Sequence, residues 1–342
     1  LDLLRFKRNR ETEDPPLDLE PIAMRTPHGL PALRAAVAAL VVASACAQSP
    51  ATLSAAPRAP VRHEVAATDG HRLALWEKRP AAPRGAVLLL HGITWSSLPN
   101  FDLQVPGEQR SFMDAFVARG YAAYGLDLRG YGATPRDATG WLTPDRAVSD
   151  IAAALDWIRE RHSAAQGPVL LGLSRGATLA AMVAQRHPDK LSAAVLFGFP
   201  SDIDQKLPPT PPDRSPAKQP TTAAAAASDF ITPGAISRQA IDAFIAAALA
   251  ADPVRVDWRD EEQFNALDPS AVKVPILLIH GERDPITTME KQAKLFTRLG
   301  TNDRAWVILP DADHAAHLES SQARLVDAVI DFAERNRQEN RP

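Results

Sequence analysis

From position 61 onward, short apolar runs alternate with stretches in which apolar residues recur every three or four positions. Residues 86–90, Tyr121–Leu126, Val169–Leu173, Ala193–Phe197, 274–279 and 305–309 are almost unbroken apolar runs, the pattern of parallel strands covered on both faces. Ahead of them, residues 63–67 and 72–77 flank Asp69-Gly70, which predicts a hairpin. Val148, Ile151, Leu155 and Ile158 fall on one face of a helix, and Leu318, Leu325, Val326 and Val329 suggest another near the end of the chain. Such alternation predicts an α/β fold: a mostly parallel sheet of about eight strands with helices on both faces. In these folds ligands bind beyond the carboxyl ends of the strands, so polar residues there are the site candidates.

The rhythm breaks once. The stretch between residues 197 and 274 is too long for a plain crossover. It opens with a proline-rich run at 207–212 and an alanine tract at 223–227, then carries Ile241, Phe244, Ile245 and Leu249 at helical spacing. This predicts a cap inserted after the sixth strand, with a loose first half (207–227) and an ordered second half.

The beginning of the chain has a different character. Residues 1–22 are polar and read as an upstream leader; Met24 is the first methionine. Arg25 and Arg34 then precede an apolar run at 35–45 that ends in small residues, the layout of a secretory signal peptide. The run is shorter than the roughly 20 residues that span a bilayer. Cys46, the single cysteine, follows directly, and Val42-Ala43-Ser44-Ala45-Cys46 resembles a bacterial lipobox, although Ala43 stands where leucine is usual. The expectation is an exported protein, a periplasmic or outer-membrane lipoprotein of a Gram-negative bacterium or otherwise a secreted one. Its membrane contact would run only through a lipid on Cys46, with residues 46–60 as a tether.

Composition removes several function classes. The chain has 342 residues, 45% hydrophobic and 23% charged, enough for a large core. A net charge of −3 lacks the basic excess of a nucleic-acid binder. A single cysteine rules out an internal disulfide framework. No HExxH, P-loop or dinucleotide fingerprint is present, so neither a metal nor another cofactor is expected.

Gly172-Leu173-Ser174-Arg175-Gly176 follows an aliphatic strand and precedes a helical stretch, which is the setting of a G-x-S-x-G nucleophile elbow. There a serine projects from a sharp turn, and the helix N-terminus favours developing negative charge. A serine needs a base held by a carboxylate. Candidate acids and bases cluster after two later strands: His280, Glu282 and Asp284, then Asp311, Asp313, His314 and His317.

Taken with His91-Gly92, Asp127-Leu128-Arg129-Gly130-Tyr131-Gly132, Gly281-Glu282-Arg283-Asp284-Pro285 and Asp313-His314, the elbow resembles the α/β-hydrolase superfamily over about residues 61–335. The resemblance implies the α/β-hydrolase fold, Ser174 as nucleophile, Asp284 as acid and His314 as base. Glu282 and His317 are the competing choices; His317 is assigned to packing at a helix start, and His91 and His280 to structural roles. An oxyanion hole would use the backbone N–H groups of Ile93 and Arg175. Arg175 would pair with a nearby acid or contact a substrate carboxylate, while Trp95 and Trp141 are candidates for lining a pocket.

Serine at the elbow argues against epoxide hydrolase, dehalogenase and dienelactone hydrolase chemistry. The expected activity is hydrolysis of a small-molecule or lipid-like carboxylic ester. The same triad acting on an amide or carbon–carbon bond, and a non-catalytic ligand-binding lipoprotein, are the alternatives. The expected organisation is a leader (1–23), signal peptide (24–45), tether (46–60), hydrolase core (61–200 and 273–337) and cap (201–272).

Overall fold

A computed structural model describes residues 59–162, 167–211 and 213–339. Met24, Cys46 and the signal-peptide region lie outside the described residues. Among the described residues, ten strands and eight α-helices follow in order: β1 (Val61–Ala66), β2 (Arg72–Lys78), β3 (Gly85–Leu90), α1 (Ser97–Phe101), α2 (Phe112–Ala118), β4 (Tyr121–Leu126), β5 (Trp141–Leu142), α3 (Pro144–Arg161), β6 (Val169–Leu173), α4 (Arg175–Arg186), β7 (Ala193–Phe197), α5 (Ala223–Ala227), α6 (Arg238–Ala251), β8 (Asp257–Trp258), β9 (Ile276–Gly281), α7 (Met289–Arg298), β10 (Arg304–Leu309) and α8 (Gln322–Glu339). Eight strands form one sheet in the order β1-β2-β4-β3-β6-β7-β9-β10. The pairs β1–β2 and β2–β4 are antiparallel, and all the others are parallel.

Alternate residues of each central strand serve opposite layers, because successive side chains leave a strand on opposite faces. Leu88, Leu90 and Leu170 join Ile151 and Leu155 of α3, Leu179 and Met182 of α4, and Leu295 before the end of α7. Val87, Leu89, Leu171 and Val195 join Phe112 and Phe116 of α2 and Leu325, Val326 and Val329 of α8. Burial on both faces explains why these strands read as unbroken apolar runs.

The register brings the important strand ends together. Leu90 pairs with Gly172, Leu173 with Phe197, Phe197 with Ile279, and Leu309 with Gly281. The segments that follow Leu90, Leu173, Phe197, Gly281 and Leu309 therefore leave the sheet at one edge.

The structure departs from the expectation at several boundaries. The strand expected at 274–279 runs from Ile276 to Gly281, so His280 lies within it. Pro275, which has no N–H to donate to a ladder, precedes its first residue. Leu318 is not on α8 but in the turn before it, packed with Trp95, Leu103 and Phe244. The alanine tract 223–227 is a helical turn, with the hydroxyl of Thr222 accepting from the N–H of Ala225 and with Ala226 fully buried.

The second half of the stretch between β7 and β9 is ordered as expected. Ser237 caps α6, whose buried line is Ala240, Phe244 and Ala248, while Ile241, Ile245 and Leu249 flank it half-buried. A proline-rich stretch cannot satisfy itself with a ladder, and its N–H groups bond onto later residues instead: Leu207 to Asn265, Thr210 to Glu262 and Ala217 to Asp257. A two-residue parallel pairing of β5 with β8 ties the same segment to the core.

Candidate active site

Ser174 sits between β6 and α4 with φ 55° and ψ −119°, a left-handed backbone that a serine adopts only under the constraint of its surroundings. The two elbow glycines are required by space. A β-carbon on Gly172 would overlap the carbonyl oxygen of Gly176, and one on Gly176 would stand 2.6 Å from that of Leu90. The N–H of Ser174 donates to the carbonyl of Phe197 at 2.9 Å, which locks the elbow to the end of β7.

The loop after β3 lies against this turn: a β-carbon on Gly92 would touch Cβ of Ser174 at 3.4 Å. His91 supports the loop from below. Its Nδ1 bonds the carbonyl of Gly92 and its Nε2 accepts from the N–H of Leu128. Burial keeps its imidazole below the ordinary histidine value, against the pull of Asp127 and Asp252. Tyr131 donates to the carbonyl of Ile93 at 2.6 Å and itself accepts from Nε1 of Trp258. Among the described residues, neither the N–H of Ile93 nor that of Arg175 has a protein acceptor.

His314 follows β10 and Asp284 follows β9. Nδ1 of His314 lies 2.7 Å from Oδ2 of Asp284. The Asp284 side chain is fully buried, whereas His314 keeps 17% of its side-chain surface. Burial works against the Asp284 charge, but the imidazole of His314 and the N–H of Ile286 hold its carboxyl below the usual range. His314 is likewise opposed by burial, yet Asp284 first, then Asp229 and Asp313, raise its imidazole above the ordinary value.

The competing residues are placed elsewhere. His317 is buried among Phe101, Phe112 and Phe197, with neither ring nitrogen hydrogen-bonded to protein among the described residues. It precedes α8 by a full turn, so its packing role is in an aromatic cage and not at a helix start. Glu282 is exposed and accepts from the N–H of Asp311 at 3.2 Å. His280 is buried, with Nδ1 bonded to the carbonyl of Gly281. Asp311 is an exposed partner of Arg283.

Asp313, another of the candidate acids, is not paired with either histidine but holds backbone. It is completely buried, and its Oδ2 accepts from the N–H groups of Ile231 and Thr232 while Oδ1 accepts from that of Ala315. Two further carboxylates were not legible as site residues. Asp252, at the end of α6, accepts from the N–H groups of Ser96 and Gly132, and Asp229 accepts from Nε1 of Trp95 at 2.8 Å. An aspartate closing an alanine-rich helix just before Pro253 signals a helix stop, and nothing in that pattern points to residue 96.

Arg175 pairs with Glu261, with its guanidinium over the rings of Trp258 and Phe264, so the acid-pairing role holds. Trp95 is buried edge-on to Phe244. Trp141 is in β5, beside the guanidinium groups of Arg214 and Arg259. Among the described residues no group of histidines, cysteines and carboxylates is arranged to hold a metal ion, and no helix is long and apolar enough to cross a membrane.

The model of the Hydrolase_4 family, described as serine aminopeptidase, S33, matches residues 81–321. The chain belongs to this family. Among relatives, an AB hydrolase superfamily protein of Bacillus subtilis is 27% identical over 61% of this chain and 81% of its own length. A monoacylglycerol lipase of Mycolicibacterium smegmatis is 24% identical over 73% of this chain and 88% of its own. In fold, the chain resembles a serine hydrolase involved in carbazole degradation, with a TM-score of 0.58 at 19% identity over 81% of this chain and 99% of that one. It also resembles an esterase of Thermogutta terrifontis, with a TM-score of 0.54 at 18% identity over 81% and 99%. It is thus an α/β hydrolase with esterase- and lipase-like neighbours.

Proposed function

We propose that this protein hydrolyses carboxylic esters through an acyl-enzyme, with Ser174, His314 and Asp284 as its triad. The observation that carries the reading is the 2.7 Å pair of His314 and Asp284 at the sheet edge from which the Ser174 elbow projects. His314 takes the hydroxyl proton as Ser174 attacks the carbonyl carbon, and Asp284 stabilises the imidazolium that results. The N–H groups of Ile93 and Arg175 receive the oxyanion. Collapse expels the alcohol, which carries away the proton from His314, and water repeats the sequence to release the acid. The segment 201–272 acts as a cap that limits which acyl groups enter.

Hydrolysis of p-nitrophenyl esters from acetate to palmitate, by wild type and Ser174→Ala, tests this. Turnover that disappears in the variant while the fold is kept supports the reading; equal turnover in both overturns it. The family description favours a second reading, cleavage of an amide at an N-terminal residue. Serine-dependent release of p-nitroaniline from aminoacyl anilides, with no ester turnover, would select it.

Export and lipidation at Cys46 belong to the same proposal. The wild-type protein expressed in a Gram-negative host is expected to incorporate labelled fatty acid, and the Cys46→Ser form is expected not to.

A further inference from the structure

The stretch after α5 touches both halves of the candidate site. Asp229 holds Nε1 of Trp95, two residues beyond Ile93 in the loop that offers an oxyanion donor. Two residues later, the N–H groups of Ile231 and Thr232 are both held by Asp313, the neighbour of His314. The N–H of Ser320 closes the contact on the carbonyl of Ala235. Residues 229–235 therefore bridge the oxyanion loop and the histidine loop, two segments that leave different strands and do not depend on each other through the chain.

Among the described residues the charge at Asp229 has no partner of opposite sign at hydrogen-bond distance. It accepts from the indole N–H of Trp95, and the charged groups that act on it are His314, Asp313 and Arg255. Its surroundings are apolar: Trp95, Ala226 and Phe244 share one buried cluster, with Phe230 packed edge-on to Phe244. Asp229 is half-buried there, so desolvation works against its charge while the indole N–H favours it.

We propose that Asp229 is a positioning residue of the reaction, fixing the oxyanion loop through Trp95 and lending negative charge to the imidazole of His314. This rests on the serine-hydrolase reading above. The two effects have separate signatures. Asp229→Asn keeps an oxygen for the Trp95 indole but removes the charge. Trp95→Phe removes the hydrogen bond and keeps the charge. Burial first of all pushes the Asp229 carboxyl up, to about 6, against the Trp95 bond and the pull of His314 and Arg255. The group is therefore ionised above that pH, where a base-competent His314 is also required. The other groups facing His314 are Asp284 and Asp313, which favour its charge, and His317, whose own imidazole is held neutral by burial.

The test uses a fluorophosphonate probe, in which the serine oxygen displaces fluoride from phosphorus and the serine proton passes to His314. Its rate reports the triad and oxyanion hole without any assumption about the ester. Rates are measured from pH 5 to 9 on the whole protein, for wild type, Ser174→Ala, Asp229→Asn and Trp95→Phe, each normalised to folded protein. For Asp229→Asn the acidic limb is expected to move down by about 0.5–1 pH unit, the scale set by one nearby charge. For Trp95→Phe the plateau is expected to fall about tenfold, less than the loss of an oxyanion donor itself. A wild-type limb in Asp229→Asn overturns the inference, as does a variant pair that lowers only the yield of folded protein. Wild type that labels no better than Ser174→Ala removes the serine-hydrolase reading itself, and this inference with it.

Discussion

Gly198 faces the imidazole of His314 so closely that a β-carbon there would stand 3.0 Å from Cε1 and 3.1 Å from Nδ1. The residue also has φ 61°, in the left-handed region. Any side chain would push the imidazole away from Asp284 and strain the exit from β7 at once. Gly198→Ala is expected to lower kcat/KM about 100-fold, the effect of a small misplacement of a reacting group. It should also destabilise the fold by about 1–2 kcal/mol. Steady-state kinetics beside thermal unfolding check the two effects, and full activity in this variant would show that His314 tolerates displacement.

The two histidines three residues apart make opposite predictions. His314→Gln is expected to lower turnover by about 10⁴-fold or more. His317→Leu should keep turnover close to wild type and change acid stability instead. Burial holds the His317 imidazole down to about 3, against 6.5 in an ordinary setting. The unfolded chain thus takes up a proton that the folded one refuses, and stability falls as pH drops from 6.5 towards 3, by up to about 1.4 kcal/mol per unit. Urea unfolding between pH 7 and 4 should therefore show a shallower decline for His317→Leu.

Glu319 has the opposite sign. Burial, reinforced by neighbouring Asp313, pushes its carboxyl up to about 8 from 4.5. The folded protein retains a proton that the unfolded chain has lost, so stability falls as pH rises through that window, again by up to about 1.4 kcal/mol per unit. Glu319→Gln, which keeps an oxygen to accept from the N–H of Asp313, is expected to raise stability at pH 8 and to have little effect near pH 5. Equal effects at both values would remove Glu319 as the titrating group.

Arg129 belongs to the fold, although it sits in one of the motifs that identify the superfamily. Its guanidinium is buried, bidentate to the fully buried Asp150 of α3, and also bonded to Asp69 in the hairpin turn. Arg129→Met leaves the Asp150 carboxylate without its cation and is expected to cost about 3–5 kcal/mol. Because burial already raises the Asp150 carboxyl, protonation relieves the variant, and its deficit should shrink as the pH is lowered. Arg129→Met combined with Asp150→Leu should recover most of the loss, which denaturant unfolding of the single and double variants measures.

The order of strands and helices, the elbow at Ser174 and the shortlist of acids and bases could all be read along the chain. Each rests on a spacing within a few residues: a buried parallel strand must be apolar throughout, and a serine on a sharp strand-to-helix turn needs glycines two positions to either side. The proline-and-alanine stretch was harder to read. Its local composition suits a loose segment, whereas Thr222 caps a helical turn and the N–H groups of Leu207, Thr210 and Ala217, set among the prolines, donate to side chains within residues 257–265.

By itself the sequence determined what local chemistry can express: an α/β chain, a nucleophile elbow, and candidate partners in the right order. Only the tertiary structure decided which candidates meet. It put His314 beside Asp284 and enclosed His317 in phenylalanine rings, although both histidines share one loop. It joined Trp95 to Asp229 across 134 positions and Ser96 to Asp252 across 156. The physical reason is that a hydrogen bond depends on distance in space. At such separations the distance is set by strand register and by the packing of α6 on α1, which no local pattern of residues records.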